Sequence, residues 1–163
     1  MPLEIERKFL VRDSSWKNDG LRHVHFCQGY IKTDPARHIT VRIRLAGEHA
    51  FLTLKGPAHG LGRSEFEYEI PVGDAEQMLA EFVPGGKVEK IRYYLPSPDG
   101  IWEIDEYLGD NEGLVTAELE LKNEHAAFER PSWLGSEVTG IPRYLNSMLA
   151  VYPWKLWPPS ERN

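Results

Sequence analysis

The feature that most restricts this sequence is a two-residue alternation of charged and apolar side chains that recurs along most of its length. VRIRL sets Arg42 and Arg44 against Val41, Ile43 and Leu45, and FLTLK sets Thr53 and Lys55 against Leu52 and Leu54. RSEFEYEI carries Arg63, Glu65, Glu67 and Glu69 on one face, with Phe66, Tyr68 and Ile70 behind them. KIRYYL gives Lys90 and Arg92, IWEID gives Glu103 and Asp105, and TAELELK gives Glu118 and Glu120, each alternating with apolar neighbours. The opening EIERKF places Glu4, Glu6 and Lys8 in one row. At a strand rise of about 3.3 Å per residue, alternate side chains share a face roughly 7 Å apart, so each stretch reads as a β-strand with one charged face. QGYI, around Gln28 and Tyr30, fits a further short strand. The turn-rich pieces AGEH, GPAHGLG and PSPDG suit hairpins, which makes the neighbours antiparallel.

Helical spacing is rarer. DAEQMLAEF, from an N-cap Asp74 to Phe82, predicts a helix, and Asn123 to Arg130 and Tyr144 to Val151 are shorter candidates. The expected fold is therefore α+β: an antiparallel eight-stranded sheet curled into a barrel or an open C-shaped trough, with helices packed outside. The 163 residues, 41% hydrophobic and 27% charged, suit a single domain over 1–163. The opening lacks the apolar run of a signal peptide, and no stretch approaches the roughly 18 apolar residues of a membrane span, so a cytoplasmic protein is expected. Cys27 is the only cysteine, which excludes an intrachain disulfide. A net charge of −6 argues against general attraction to nucleic acid or an anionic membrane, although a local cationic site can exist in an acidic chain.

Taken singly, each strand fits a half-exposed sheet with its polar face in water. Together the polar faces are unusually dense in ionisable groups and segregate into cationic pairs and carboxylate pairs, which suits an inside-out barrel. The apolar faces then need cover from helices or from the partner of a homodimer, because Phe66, Tyr68 and Trp102 would otherwise form a large exposed patch. Lys8, Arg42, Arg44, Lys55, Lys90 and Arg92 could surround a compact polyanion such as a phosphate chain. The opposing carboxylates, Glu4, Glu6, Glu65, Glu67, Glu69, Glu103, Asp105, Glu118 and Glu120, could not all ionise together in a confined space without help, and Mg²⁺ or Mn²⁺ would supply it.

EIERKFLV resembles the ExExK signature of the CYTH superfamily, the triphosphate tunnel metalloenzymes. QGYI, VRIRL, TLKG, RSEFEYEI, VEKIRY, WEIDEYLG, AELEL and WLGSEVTG resemble its later motifs in order. The resemblance implies an antiparallel eight-stranded tunnel that binds triphosphate and needs a divalent metal for turnover. It is similar most closely to short bacterial members that hydrolyse inorganic tripolyphosphate to pyrophosphate and phosphate. Class IV adenylate cyclases and thiamine triphosphatases share these motifs, and a non-catalytic polyphosphate-binding module is a further alternative.

By the same resemblance, Lys8, Arg42, Arg44, Lys55, Lys90 and Arg92 bind phosphate, and Glu4, Glu6, Glu118 and Glu120 are the principal metal ligands. Glu65, Glu67 and Asp105 would hold a second metal, its water or the cationic side chains. Lys8 and Tyr30 are the catalytic candidates, with the Tyr30 hydroxyl positioning water or packing in the barrel wall. The chemistry that fits is in-line attack on a terminal phosphoryl group by water activated by a divalent metal. His23 and His25 lack a third zinc ligand at recognisable spacing, and GPAHGLG lacks the GK[ST] and following helix of a P-loop. The aromatic, proline-rich VYPWKLWPPSERN could pack across a tunnel mouth, bind a partner or lie on the surface.

Overall fold

The computed structural model describes residues 5–60 and 62–162, so Glu4 lies outside the described residues. Its strands are β1 (Glu6–Val11), β2 (Arg22–Ile31), β3 (Thr40–Ala46), β4 (His49–His59), β5 (Gly62–Ile70), β6 (Val88–Ser97), β7 (Gly100–Tyr107), β8 (Val115–Glu120) and β9 (Leu134–Glu137). They form a nine-stranded sheet in the order β5-β4-β3-β2-β6-β7-β8-β1-β9, with every pairing antiparallel. The sheet is not closed: β5 and β9 are its two ends. It curls nevertheless, because Glu6 and Lys8 near one end line the same cavity as Glu65 and Glu67 at the other. The arrangement is the open trough rather than the closed barrel. The strand beyond the expected eight is β9, four residues without a charged–apolar alternation, paired to β1.

The alternation sets which face is covered. Phe9, Trp102, Ile104, Ala117 and Leu119 project from the outer face of β1, β7 and β8 into a cluster with Trp16 and Trp133. Helix α1 (Val72–Phe82) lays Ala75 and Leu79 on Ile43 and Ala50. Gly29 permits that approach, since a Cβ there would lie 2.8 Å from a Val83 methyl. The hairpin between β3 and β4 turns at Gly47, whose φ of 60° an L side chain seldom adopts. A third cluster joins Val88, Tyr107 and Leu114 to Tyr144, Leu149 and Trp157.

Three helical expectations change. Residues 123–130 form no helix. The Asn123 side chain accepts the His125 amide, diverting the backbone into a turn, and Phe128 wedges between Phe9 and Trp102 at ring distances of 5.7 and 5.8 Å. The candidate at Tyr144 to Val151 shrinks to α2 (Asn146–Leu149) behind a 3₁₀ turn at Pro142–Tyr144. α1 begins before Asp74, with Pro71 at the N-cap, which leaves Asp74 in the first turn where its charge favours the helix dipole. The cover is also incomplete at the β4–β5 end of the sheet, where Leu54, Phe66 and Tyr68 remain exposed and the last two also border the cavity. Among the described residues no helix is long and apolar enough to cross a membrane.

Candidate active site

The concave side of the sheet encloses a cavity of about 740 Å³. Its wall takes Glu6 and Lys8 from β1, Tyr30 from β2, Arg42 and Arg44 from β3, Lys55 from β4, and Arg63, Glu65 and Glu67 from β5. Arg92 comes from β6, Glu103 from β7, and Glu118 and Glu120 from β8. Leu145, Asn146 and Ser147 close its floor. Register aligns these groups in rungs: Tyr30 opposite Arg42, Gln28 opposite Arg44, Lys55 opposite Glu65, Glu103 opposite Glu118, and Lys8 opposite Glu118. Slipping a strand by one residue would turn its charges out of the cavity. The wall carries six cations (Lys8, Arg42, Arg44, Lys55, Arg63, Arg92) and six carboxylates (Glu6, Glu65, Glu67, Glu103, Glu118, Glu120).

Lys90 and Asp105 do not reach that wall. Asp105 is wholly buried and accepts hydrogen bonds from Lys90 Nζ at 2.7 Å and from Arg92 Nε and Nη2 at 2.8 and 2.9 Å. Arg92 Nη1 donates to Glu103 at 2.6 Å. Burial alone would raise the Asp105 pKa, but the two cations hold it well below the usual carboxylate range. Arg92 stays firmly protonated, since Asp105 and Glu103 more than offset its burial. Lys90 goes the other way: burial, aided by Arg92 and Arg44, outweighs Asp105 and lowers it to about 7. Its ammonium also meets Asn146 Oδ1 at 3.3 Å, an oxygen shared with the Tyr107 hydroxyl at 2.9 Å.

Lys8 donates to the Tyr144 carbonyl at 3.2 Å and faces Glu118 at 3.5 Å. Its burial is overcome by Glu118 and Glu6, so its pKa is raised and it stays an ammonium. Burial likewise opposes ionisation of Glu118, but Lys8, a hydrogen bond with Glu6 and Arg92 bring it down to about 2. Burial and then repulsion from Arg42 and Arg92 lower Arg44 to about 10. Arg44 Nε donates to Gln28 Oε1 at 2.8 Å, and Gln28 Nε2 donates to the Tyr30 hydroxyl at 2.7 Å. On the far wall Arg42 reaches Thr53 at 3.2 Å and Glu67 at 3.3 Å, and Glu65 lies 4.0 Å from Arg42 and 3.9 Å from Lys55.

Glu69 stands apart from the cavity, paired with His49 at 2.6 Å. His25 meets Glu89 at 2.9 Å and His23 lies against the Tyr93 ring, both exposed. The aromatic tail packs beneath the floor: Trp157 is buried edge-on against Tyr144 at 5.1 Å, and the Trp154 amide donates to Asn111. The sequence placed Arg63 and Gln28 on strands without giving either a site role, and it did not single out Asn146 or Phe26. Arg63, Gln28 and Phe26 were detectable by parity, since each shares a strand face with a chosen residue. Asn146 lies outside every strand and carried no signal.

A CYTH domain profile matches residues 2–146. The chain belongs to the CYTH family. Among its CYTH relatives, the inorganic triphosphatase of Acetivibrio thermocellus is 46% identical over 155 residues, covering 95% of this chain and 97% of that protein. The inorganic triphosphatase of Nitrosomonas europaea is 42% identical over 151 residues, covering 91% and 97%. The crystal structure of the inorganic triphosphatase NE1496 superposes with a TM-score of 0.67 at 40% identity, over 93% of this chain and 96% of that one. A Pyrococcus horikoshii protein, PH1012, at 20% identity and a TM-score of 0.55 over 74% and 80%, shares the fold.

Proposed function

We propose that this CYTH protein hydrolyses inorganic tripolyphosphate to pyrophosphate and phosphate in the trough, with Mg²⁺ or Mn²⁺ as cofactor. The observation that carries the reading is the convergence of six cations and six carboxylates, from both ends of a curled sheet, on one cavity. A polyanion alone would suit only the cations, whereas a polyanion with a divalent cation suits both sets. The two triphosphatase relatives, each matched over more than nine-tenths of both chains, support the substrate class.

The donor set fits a hard cation. Glu6 and Glu118 line the same side of the cavity, and Glu6 helps lower the Glu118 pKa, so the two carboxyls lie near enough to share a metal. Among the described residues no group of three or more acidic, histidine or cysteine side chains is arranged to hold a metal by itself, so substrate oxygens would complete the shell. Glu6, Glu118 and Glu120 would hold it, with Glu65 and Glu67 across the cavity as the second set. When bound, such a cation supplies charge neutralisation and an acidified water.

The chain's own groups do the rest. Arg42, Arg44, Lys55 and Arg92 neutralise the leaving pyrophosphate, and the arginines add directional N–H donors. Lys8, held as an ammonium, donates to a phosphoryl oxygen rather than accepting a proton. Tyr30, its hydroxyl oriented by Gln28, positions the attacking water. Asp105 is committed to Lys90 and Arg92, so its role here is to hold Arg92 in place rather than to bind metal.

The test is phosphate release and product analysis with tripolyphosphate, ATP, thiamine triphosphate and pyrophosphate, with Mg²⁺ or Mn²⁺. Tripolyphosphate is expected to turn over fastest and pyrophosphate poorly. Glu118→Gln is expected to lower turnover by at least about 100-fold, the scale of losing one preorganised electrostatic contact. Cyclic AMP from ATP without tripolyphosphate hydrolysis would overturn the assignment. A folded Glu118→Gln protein with unchanged turnover would move the metal to Glu65 and Glu67.

A further inference from the structure

Phe26 breaks the pattern of its own strand. It shares the face of β2 that carries Gln28 and Tyr30 toward the cavity, yet it is apolar and only 4% exposed. Three cations surround its ring. The Arg44 guanidinium lies 4.5 Å from the centroid, that of Arg92 5.0 Å, and the Lys90 ammonium 5.8 Å. These groups come from the strands on either side of β2, with Phe26 paired to Ala46 on β3 and to Lys90 on β6.

We propose that Phe26 is a positioning residue for anion recognition, its ring gathering Arg44, Arg92 and Lys90 into one cluster without consuming their charge. This rests on the trough being the triphosphate site. Cations this close repel one another; Asp105 offsets part of that for Lys90 and Arg92, and a further carboxylate would quench the field meant for the substrate. The negative face of an aromatic ring attracts cations without adding net charge. It also leaves the in-plane N–H donors of a guanidinium free for oxygen ligands. Part of that donor set already serves protein oxygens, Arg44 Nε on Gln28 and Arg92 on Asp105 and Glu103, and a guanidinium's five N–H groups exceed those bonds. A leucine of similar bulk would fill the space but withdraw the ring's share of that attraction, leaving Lys90 and Arg92 to Asp105 and Glu103, and Arg44 Nε to the neutral Gln28 amide.

The experiment replaces Phe26 with trifluorophenylalanine by site-specific incorporation, which nearly keeps the ring's shape while draining its negative face, and separately makes Phe26→Leu. Tripolyphosphate affinity is read by calorimetry, alongside KM and kcat. Both proteins are expected to bind about ten-fold more weakly, the scale of one or two cation–ring contacts, with kcat changed much less. A purely packing role predicts that the fluorinated protein matches wild type, and that result would overturn the proposal even if Phe26→Leu failed to fold. A fall in kcat at unchanged affinity would overturn it as well. If wild-type protein neither binds nor hydrolyses tripolyphosphate, the functional reading falls with it; if wild type does both and the fluorinated ring changes nothing, this inference falls alone.

Discussion

The two walls of the trough arise from the same charged–apolar alternation, yet they are built to different tolerances. On the wall made by β6, β7, β8 and β1, the Lys90 and Asp105 side chains are 0% and 1% exposed, and the Arg92 pairs span 2.6–2.9 Å. On the wall made by β3, β4 and β5, Glu67 is 43% exposed and the Arg42 and Lys55 pairs span 3.3–4.0 Å. The difference follows from backing. The first wall has the Phe9–Trp102 cluster behind it and the Asn146 floor beneath it, whereas α1 backs only β3 and β4 of the second, which ends at β5 with Phe66 and Tyr68 exposed. One wall is fixed before any ligand arrives, and the other can adjust around it.

The sharpest way to break this contrast is Asp105→Asn. It removes the carboxylate shared by Lys90 and Arg92, leaving Arg92 with Glu103 alone and Lys90 buried without an ion-pair partner there, and is expected to cost about 3–5 kcal/mol in chemical denaturation. A loss under about 1 kcal/mol would make the inner wall as soft as the outer one. An intermediate effect comes from acid. The folded Glu118 titrates at about 2 against an ordinary 4.5, so its contribution is complete above pH 4.5 and lost as pH falls from there toward 2. Asp105, also held low, acts in the same direction. The denaturation midpoint should therefore fall between pH 5 and pH 3 in wild type, and Glu118→Gln should flatten the slope; an unchanged slope in that variant would remove Glu118 from the rigid set. The smallest effect is expected from Glu67→Gln, under about 1 kcal/mol, because its partner is held through a half-exposed carboxylate. A loss above about 2 kcal/mol would place both walls in one class.

Alternation carried most of the fold and the identity of the cavity wall, because a strand period of two assigns each side chain to a face without reference to anything distant. Depth was not legible. Lys90 and Arg92 are indistinguishable in KIRYYL, but Lys90 is sealed by Asn146 and Tyr107, which come from other parts of the chain, while Arg92 reaches the cavity. Phe26 escaped notice for the opposite reason, since an apolar residue on a charged face looks like a lapse in the pattern until its three neighbours are located. The missing helix at 123–130 reflects local competition, with the Asn123 side chain and the docking of Phe128 prevailing over weak helical spacing.

Among the described residues β1 pairs with β8 and β9 alone, setting Lys8 against Glu118 and Val11 against Leu134. As the chain emerges from the ribosome, β1 has no partner until nearly every other strand has been made. Contacts so distant in sequence are slow to form, because the loop-closure entropy must be met before they contribute. β1 therefore waits as an unpaired strand bearing Lys8 and Glu6, and the carboxyl pair of Glu6 and Glu118 comes into being only when it docks. The docking of β1 and the completion of the cavity wall are then one event.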